Sequence, residues 1–345
     1  LCVRRPKRMP ASRSWPKQSV PDFGGADPYG LVGESCRAWE LRDHLAFLAG
    51  RNPHILVLGE SGSGKELAAK TIHALSKRSS KRLVARNAAT LPEGLVDAEL
   101  FGNVKDYPNP GMRERAGLIG QADGSTLFLD EIAELPERLQ GHLLRVLDSE
   151  GDYQRLGEDR NRKADLRLIA ATNRSPSDLK HDLLARLRVR IQLPGLDERT
   201  DDIPLLARHL LRSTAEDDPE IAERFFDEAS GEPRLAQDLV LALLEHRWTH
   251  HVRELDALIW AGISGSRGHR IQLTREVRRE LDRSGTTSIS SVQVSPEMVQ
   301  DCLDKHEGVR ERVWRELGLK NRWVLNRLIK KHGLRVGQGD EETGD

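Results

Sequence analysis

Gly59-Glu60-Ser61-Gly62-Ser63-Gly64-Lys65-Glu66 follows directly on the apolar run Ile55–Leu58 and opens a segment of helical periodicity, Glu66–Lys77. Strand, glycine-rich turn, lysine and helix, in that order, decide the fold class. Glycines let the loop curl so that backbone N–H groups point at phosphate oxygens, and the positive end of the helix dipole faces the same point. Lys65 is placed to reach the β- and γ-phosphates, and Glu66 stands where a Mg2+-binding hydroxyl is usual. A glycine-rich turn before a helix is often only a tight turn. With strand, spacing and lysine all in place, Gly59, Glu60, Ser61, Gly62, Ser63, Gly64, Lys65 and Glu66 read as a phosphate cradle, with ATP and Mg2+ as the implied cofactors.

Outward from the loop, Leu83–Ala85, Thr126–Leu129, Leu166–Ala171 and Val189–Leu193 join Ile55–Leu58 as buried strands separated by helical stretches. Alternation of this kind predicts an α/β domain on a parallel five-stranded sheet. The strand Thr126–Leu129 ends in Asp130-Glu131. Asp130 is suited to hold Mg2+, and Glu131 to orient and deprotonate an attacking water, the two tasks phosphoryl transfer requires. Acidic residues at a helix start are common without any catalytic task; the upstream loop favours the catalytic reading.

The 345 residues carry Lys+Arg 54 and Asp+Glu 54, a net charge of zero. That balance sums unlike parts: basic stretches at Arg4–Lys17 and Lys320–Arg335 against an acid-rich middle and tail. Residues 1–30 read as a disordered basic arm, 31–214 as the α/β subdomain, 215–282 as a helical lid, and 283–295, polar and small, as a linker. Residues 296–336 form a helical block and 337–345 an acidic tail. No apolar run approaches the roughly 18 residues a spanning helix needs, so no membrane role and a cytoplasmic location are expected. Cys2, Cys36 and Cys302 show no CxxC, which argues against a disulfide framework and a zinc site. His250-His251 lacks carboxylate or Cys neighbours at ligand spacing and reads as surface.

These motifs resemble the AAA+ ATPase domain of bacterial enhancer-binding proteins, the activators of sigma-54 RNA polymerase. The likeness rests on GESGSGKE, Leu100-Phe101-Gly102, Ala122–Glu131, Leu143–Leu147 and Ala170-Ala171-Thr172-Asn173, and covers most of the chain from Leu31 onward. It implies that Glu66 is the family's own residue. It further implies that Asn87 holds Glu131 in an inactive pose until the nucleotide state changes. Thr172 and Asn173 match the first sensor of the γ-phosphate, and Arg253, in Val252-Arg253-Glu254-Leu255, the second. The family completes each site with two arginines from a neighbouring subunit of a hexameric ring, dimeric when inactive. Arg186 matches one; Lys180 occupies the other position, keeping the charge without the planar fork.

One stretch departs from the pattern. Where the family carries GAFTGA, whose tip contacts the sigma factor, this chain has Asp106-Tyr107-Pro108-Asn109-Pro110-Gly111. Two prolines remove donors and stiffen the backbone, so an output other than standard sigma-54 remodelling is expected. No receiver, GAF or FHA-like segment is read before Leu31, which leaves control to a regulatory protein in trans or to nucleotide level.

In the C-terminal block, a capped helix to about His306, then Val309–Leu317, a Gly318-Leu319 turn and Lys320–His332 give a helix-turn-helix pattern similar to the Fis-type DNA-binding domain. Lys320, Asn321, Arg322, Asn326, Arg327, Lys330 and Lys331 form its candidate double-stranded DNA surface; a solvated basic face is the plainer alternative. Val313 and Trp314 replace the family's small alanines. Two functions follow: an ATP-hydrolysing, ring-forming DNA-binding regulator, or a nucleotide-gated DNA-binding repressor with negligible turnover.

Overall fold

A computed structural model describes residues 14–148, 150–285, 296–306, 309–317, 325–326, 328–329, 332 and 334. The chain divides into two units, one of residues 1–195 with His250–Val252, the other of 196–249 with 253–345. In the first, the strands are β1 (Ile55–Leu58), β2 (Val84–Asn87), β3 (Thr126–Asp130), β4 (Asp152–Tyr153), β5 (Arg162–Lys163), β6 (Arg167–Thr172) and β7 (Val189–Gln192). Its helices are α1 (Cys36–Ala49), α2 (Lys65–Ala74), α3 (Val96–Phe101), α4 (Gly117–Gln121), α5 (Glu137–Leu147) and α6 (His181–Arg186).

Five of the strands form a parallel sheet in the order β2-β3-β6-β1-β7. Parallel strands buried on both faces read as continuous apolar runs, and their alternate residues serve two cores. Leu56, Leu127, Leu129, Leu168 and Ala170 point to one, with Leu139, Leu143 and Val146 of α5. Ile55, Val57, Phe128, Ile169 and Ala171 point to the other, with Leu45 and Leu48 of α1 and Ala68, Ala69 and Ile72 of α2. The five expected strands are present with ends shifted by one or two residues. The two-residue antiparallel pair β4-β5 lacked an apolar signature and was not anticipated.

Residues 14–30, expected to be a disordered arm, pack instead. Trp15 is buried, its indole N–H donating to the Ser19 carbonyl at 3.2 Å and its ring meeting Tyr29 edge-on. Asp27 forms a fully buried pair with Arg42 of α1 at 2.9 Å. Basic, proline-rich composition suggested disorder, but one buried tryptophan and one buried ion pair supply the contacts that order the segment.

His54 sits just before β1, and its Nδ1 accepts the Leu168 N–H at 3.0 Å. Burial, ahead of repulsion from Arg167, Arg188 and Arg78, pushes its pKa from 6.5 down to about 4, partly offset by the Leu147 backbone. The folded value lies below the unfolded one. This contribution is therefore complete above pH 6.5 and is lost as pH falls toward about 4, because the unfolded chain takes up a proton first. The loss amounts to at most about 3 kcal/mol. The urea unfolding midpoint should fall less between neutral and acid pH for His54→Gln than for the parent protein; identical pH slopes would remove this residue as a cause.

The second unit contains α7 (Ile203–Asp217), α8 (Pro219–Phe225), α9 (Gln237–Glu245), most of α10 (His251–Gly265), α11 (Arg275–Gly285), α12 (Pro296–Lys305) and α13 (Arg310–Glu316). Glu254 fixes the turn ahead of α10: its carboxylate meets His246 Nε2 at 2.8 Å and accepts the Thr249 N–H at 2.9 Å. Around α12 and α13, Val299, Cys302, Leu303, Val313 and Leu325 form a small core with Trp314 partly buried against it. The bulky Val313 and Trp314 thus fill space between helices. Among the described residues, no helix is long and apolar enough to cross a membrane.

Candidate functional site

The loop 59–64 closes over the C-terminal ends of β1 and β6. Gly59 donates to the Thr172 carbonyl at 3.4 Å, and Ser63 donates to Glu60 at 3.2 Å to form the inner turn. A Cβ on Gly59 would lie 2.5 Å from Ser63 Oγ and 3.2 Å from Leu193 Cβ, so a side chain there would force the loop open. Gly64, with φ +99°, turns the chain into α2 in a conformation that other residues adopt only with strain.

Lys65, the first residue of α2, is buried. Its ammonium donates to the carbonyls of Gly59 at 3.1 Å and Glu60 at 3.4 Å and pairs with Glu131 Oε1 at 3.5 Å. Glu131 itself occupies the left-handed region (φ 48°) directly after β3, and its N–H donates to Asp130 Oδ1 at 2.9 Å. Left-handed backbone at a non-glycine residue is strained and concentrates at working sites. Its second oxygen accepts the Asn173 N–H at 3.3 Å. Strand pairing therefore brings the ends of β1, β3 and β6 together, with Lys65, Asp130, Glu131, Thr172 and Asn173 on one rim. Burial raises the Asp130 carboxyl above its ordinary range, against the lowering effects of the Glu131 N–H and Lys65.

This rim suits a polyphosphate and a divalent cation. Ser63 Oγ is buried within the loop with no hydrogen-bond partner, and Lys65 supplies an ammonium whose present partners are two loop carbonyls and one carboxylate. Asp130 offers the hard oxygen that Mg2+ takes.

Other expected residues are placed differently. Asn87 lies beside Asp130 in the β2–β3 register, but its side chain accepts the Ala89 N–H at 2.9 Å while Glu131 engages Lys65 and Asn173. Glu66 points to solvent and pairs with Lys70 at 2.8 Å, one helical turn along. Arg186 pairs with Asp148 at 2.6 Å, and the Lys180 N–H donates to Gln140 Oε1 at 3.0 Å, so both ends of α6 are tied to α5 and its C-terminal cap. Arg253 belongs to the second unit. Of the candidate DNA-contacting residues, only Asn326 is among those described, where its side chain accepts from Arg310 at 3.2 Å.

His251 was expected on the surface and is buried. Its Nε2 lies 3.2 Å from Glu60 of the loop, and the next residue, Val252, donates to the Gly62 carbonyl at 3.2 Å. Its ring also packs so closely on Gly195 that a Cβ there would sit 2.5 Å from it. The adjacent histidines carried no periodicity that marks burial, and only the tertiary contact reveals it.

The departing segment is tied shut. Asn103, fully buried, donates through Nδ2 to the carbonyls of Val104, Tyr107 and Arg113, and its backbone pairs with Arg115 in both directions. Gly111 N–H caps on the Asp106 carboxylate at 2.8 Å, and the Tyr107 ring lies on Gly157.

The model of the Sigma-54 interaction domain matches residues 31–193. Transcriptional regulatory protein ZraR of Salmonella typhimurium is 34% identical over 318 residues, spanning 88% of this chain and 69% of that protein. The Nif-specific regulatory protein of Azotobacter vinelandii is 40% identical over 313 residues, 88% of this chain and 56% of that one. The crystal structure of NtrX from Brucella abortus in complex with ADP superposes with a TM-score of 0.65 at 28% identity, covering 88% of this chain and 70% of that one. A parallel five-stranded AAA+ sheet, a glycine-rich loop entering α2 and these relatives agree: the chain belongs to the sigma-54-dependent transcriptional regulators that carry the Sigma-54 interaction domain.

Proposed function

We propose that the chain is a cytoplasmic, ATP-hydrolysing, self-assembling regulator that binds double-stranded DNA through residues 296–336, and that its output differs from standard sigma-54 remodelling. The observation that carries the ATPase reading is the meeting of Lys65, Glu131 and the Asn173 N–H at one rim. On ATP binding, Lys65 exchanges its loop carbonyls for β- and γ-phosphate oxygens, which releases Glu131 to orient and deprotonate water. Mg2+ bound through Asp130 would neutralise charge on the phosphates. Thr172, the last residue of β6 beside β1, and Asn173 directly after it sense the γ-phosphate, and the resemblance alone assigns Arg253 and Asn87 to nucleotide sensing and control. Arg186 and Lys180, tied to α5 and its cap, would serve the site of a second copy, a role that the resemblance alone assigns. Closure of the 103–115 loop around Asn103, with prolines in place of an apolar tip, supports the altered output.

Steady-state phosphate release measured against protein concentration tests the reading. Specific activity should rise with concentration as neighbouring copies complete each site, and Arg186→Ala should flatten that rise. Absence of turnover at every concentration, with nucleotide-dependent DNA binding retained, would leave the repressor instead. Retention of sigma-54 on the protein with ADP–aluminium fluoride would overturn the altered output.

A further inference from the structure

Within the C-terminal block, Cys302 lies in the last turns of α12, His306 follows that helix directly with its N–H still donating to the Cys302 carbonyl at 3.1 Å, and Glu316 ends α13; their thiol, imidazole and carboxylate ligand atoms all lie within 4.8 Å of one another. Spacing of i and i+4 puts Cys302 and His306 on one face of the helix, one above the other. The chain had shown no CxxC, and this pairing with a third donor from another helix escapes such a search.

We propose that Cys302, His306 and Glu316 form a binding site for a zinc-class divalent cation that cross-links α12 to α13. Sulfur, imidazole and carboxylate together suit a borderline-soft ion rather than Mg2+ or Ca2+, and three protein donors leave a fourth tetrahedral position to water. Tetrahedral ligands at zinc bond lengths are about 3.5 Å apart, so to admit an ion the His306 Nε2 and the Glu316 carboxylate, now in direct hydrogen-bond contact, part by about 1 Å while the thiol closes in on both by side-chain rotation. Exposure is graded along the approach: Cys302 is 6% exposed in the small core, His306 18% and Glu316 43%, so the ion enters from the carboxylate side. The second oxygen of Glu316 is held by Lys305 at 2.5 Å, an outer contact that aims the first at His306. The thiol at present points its weak donor at the Val313 carbonyl, 4.0 Å away. On binding, the S–H bond breaks, the proton leaves to solvent and the sulfur lone pair forms the metal bond; the proton shared by His306 and Glu316 is displaced in the same way.

Two readings of the same geometry compete. Glu316, Lys305 and His306 also make a plain surface ion cluster beside a buried cysteine, and only metal titration separates that from a chelate. Untagged full-length protein titrated with Co2+ should develop a thiolate-to-cobalt charge-transfer band that Zn2+ abolishes at one equivalent. Cys302→Ser and His306→Ala should each weaken cobalt affinity by at least about 100-fold and Glu316→Gln by about 10-fold, while Cys2→Ser with Cys36→Ser leaves it unchanged. Should Cys302→Ser disturb the core, shown by loss of helical circular dichroism, the two more exposed variants carry the test. A protein without the band, or one whose band survives both His306→Ala and Glu316→Gln, overturns the site.

Discussion

Glu131→Gln lowers steady-state ATP hydrolysis by about 10²–10⁴-fold while ATP binding changes only a few-fold, the range expected when a positioned general base is removed. Glutamine keeps the length of the side chain and an oxygen for the Asn173 N–H, 3.3 Å away, so the rim holds its shape. What disappears is the negative charge that takes a proton from water and that holds Lys65 at 3.5 Å. Freed from that partner, Lys65 meets phosphate at least as readily. Lys65→Ala therefore behaves differently, losing binding and turnover together. Phosphate release combined with titration of a fluorescent nucleotide distinguishes the two patterns. Turnover equal to the parent protein would remove Glu131 from the role of base and leave its strained backbone, φ 48°, without a catalytic explanation.

The part of this site that was legible in the sequence is the part fixed by covalent spacing. A strand, a loop of set length and a helix place Lys65 whatever surrounds them, and an apolar strand followed by two acids places Asp130 and Glu131. Phe128 between Leu127 and Leu129 also foretold a sheet with two covered faces, since alternate residues go to separate cores. Contacts chosen by packing were not legible. Asn87 satisfies Ala89 rather than Glu131 because a local backbone donor two residues away is nearer than a side chain on another strand. His251 reaches the loop only through tertiary approach. The pair β4-β5 is polar and two residues long, below what periodicity detects. Composition misled at residues 14–30, where prolines and basic residues outnumber the single Trp15 that anchors the segment.

Arg42→Leu should destabilise the first unit by about 3–5 kcal/mol, the cost of leaving one member of a buried ion pair uncompensated. Both side chains are at most 1% exposed, and the guanidinium uses all three nitrogens: Nε on Asp27 at 2.9 Å, Nη1 on the Gly33 carbonyl and Nη2 on the Leu31 carbonyl, each at 2.8 Å. Asp27 in turn accepts the N–H groups of Tyr29 and Leu31. Removing the arginine therefore leaves the Asp27 charge uncompensated and takes a donor from the Gly33 carbonyl, while the Tyr29 and Leu31 N–H groups on Asp27 and the Asp27 N–H on the Leu31 carbonyl remain; total stabilities are only about 5–15 kcal/mol. The segment so pinned, residues 27–33, also flanks α2: a Cβ on Gly30 would lie 3.4 Å from Leu67 Cδ1. Loosening it should thus reduce ATP affinity as well as the urea midpoint, although no residue of the loop has changed. A double replacement, Asp27→Leu with Arg42→Leu, removes both charges and should recover part of the stability, because an apolar pair of similar volume carries no desolvation cost. If the single replacement costs less than about 1 kcal/mol, the level of an exposed pair, then the ion pair does not pin the segment, and the buried Trp15 and Trp39 must hold it instead.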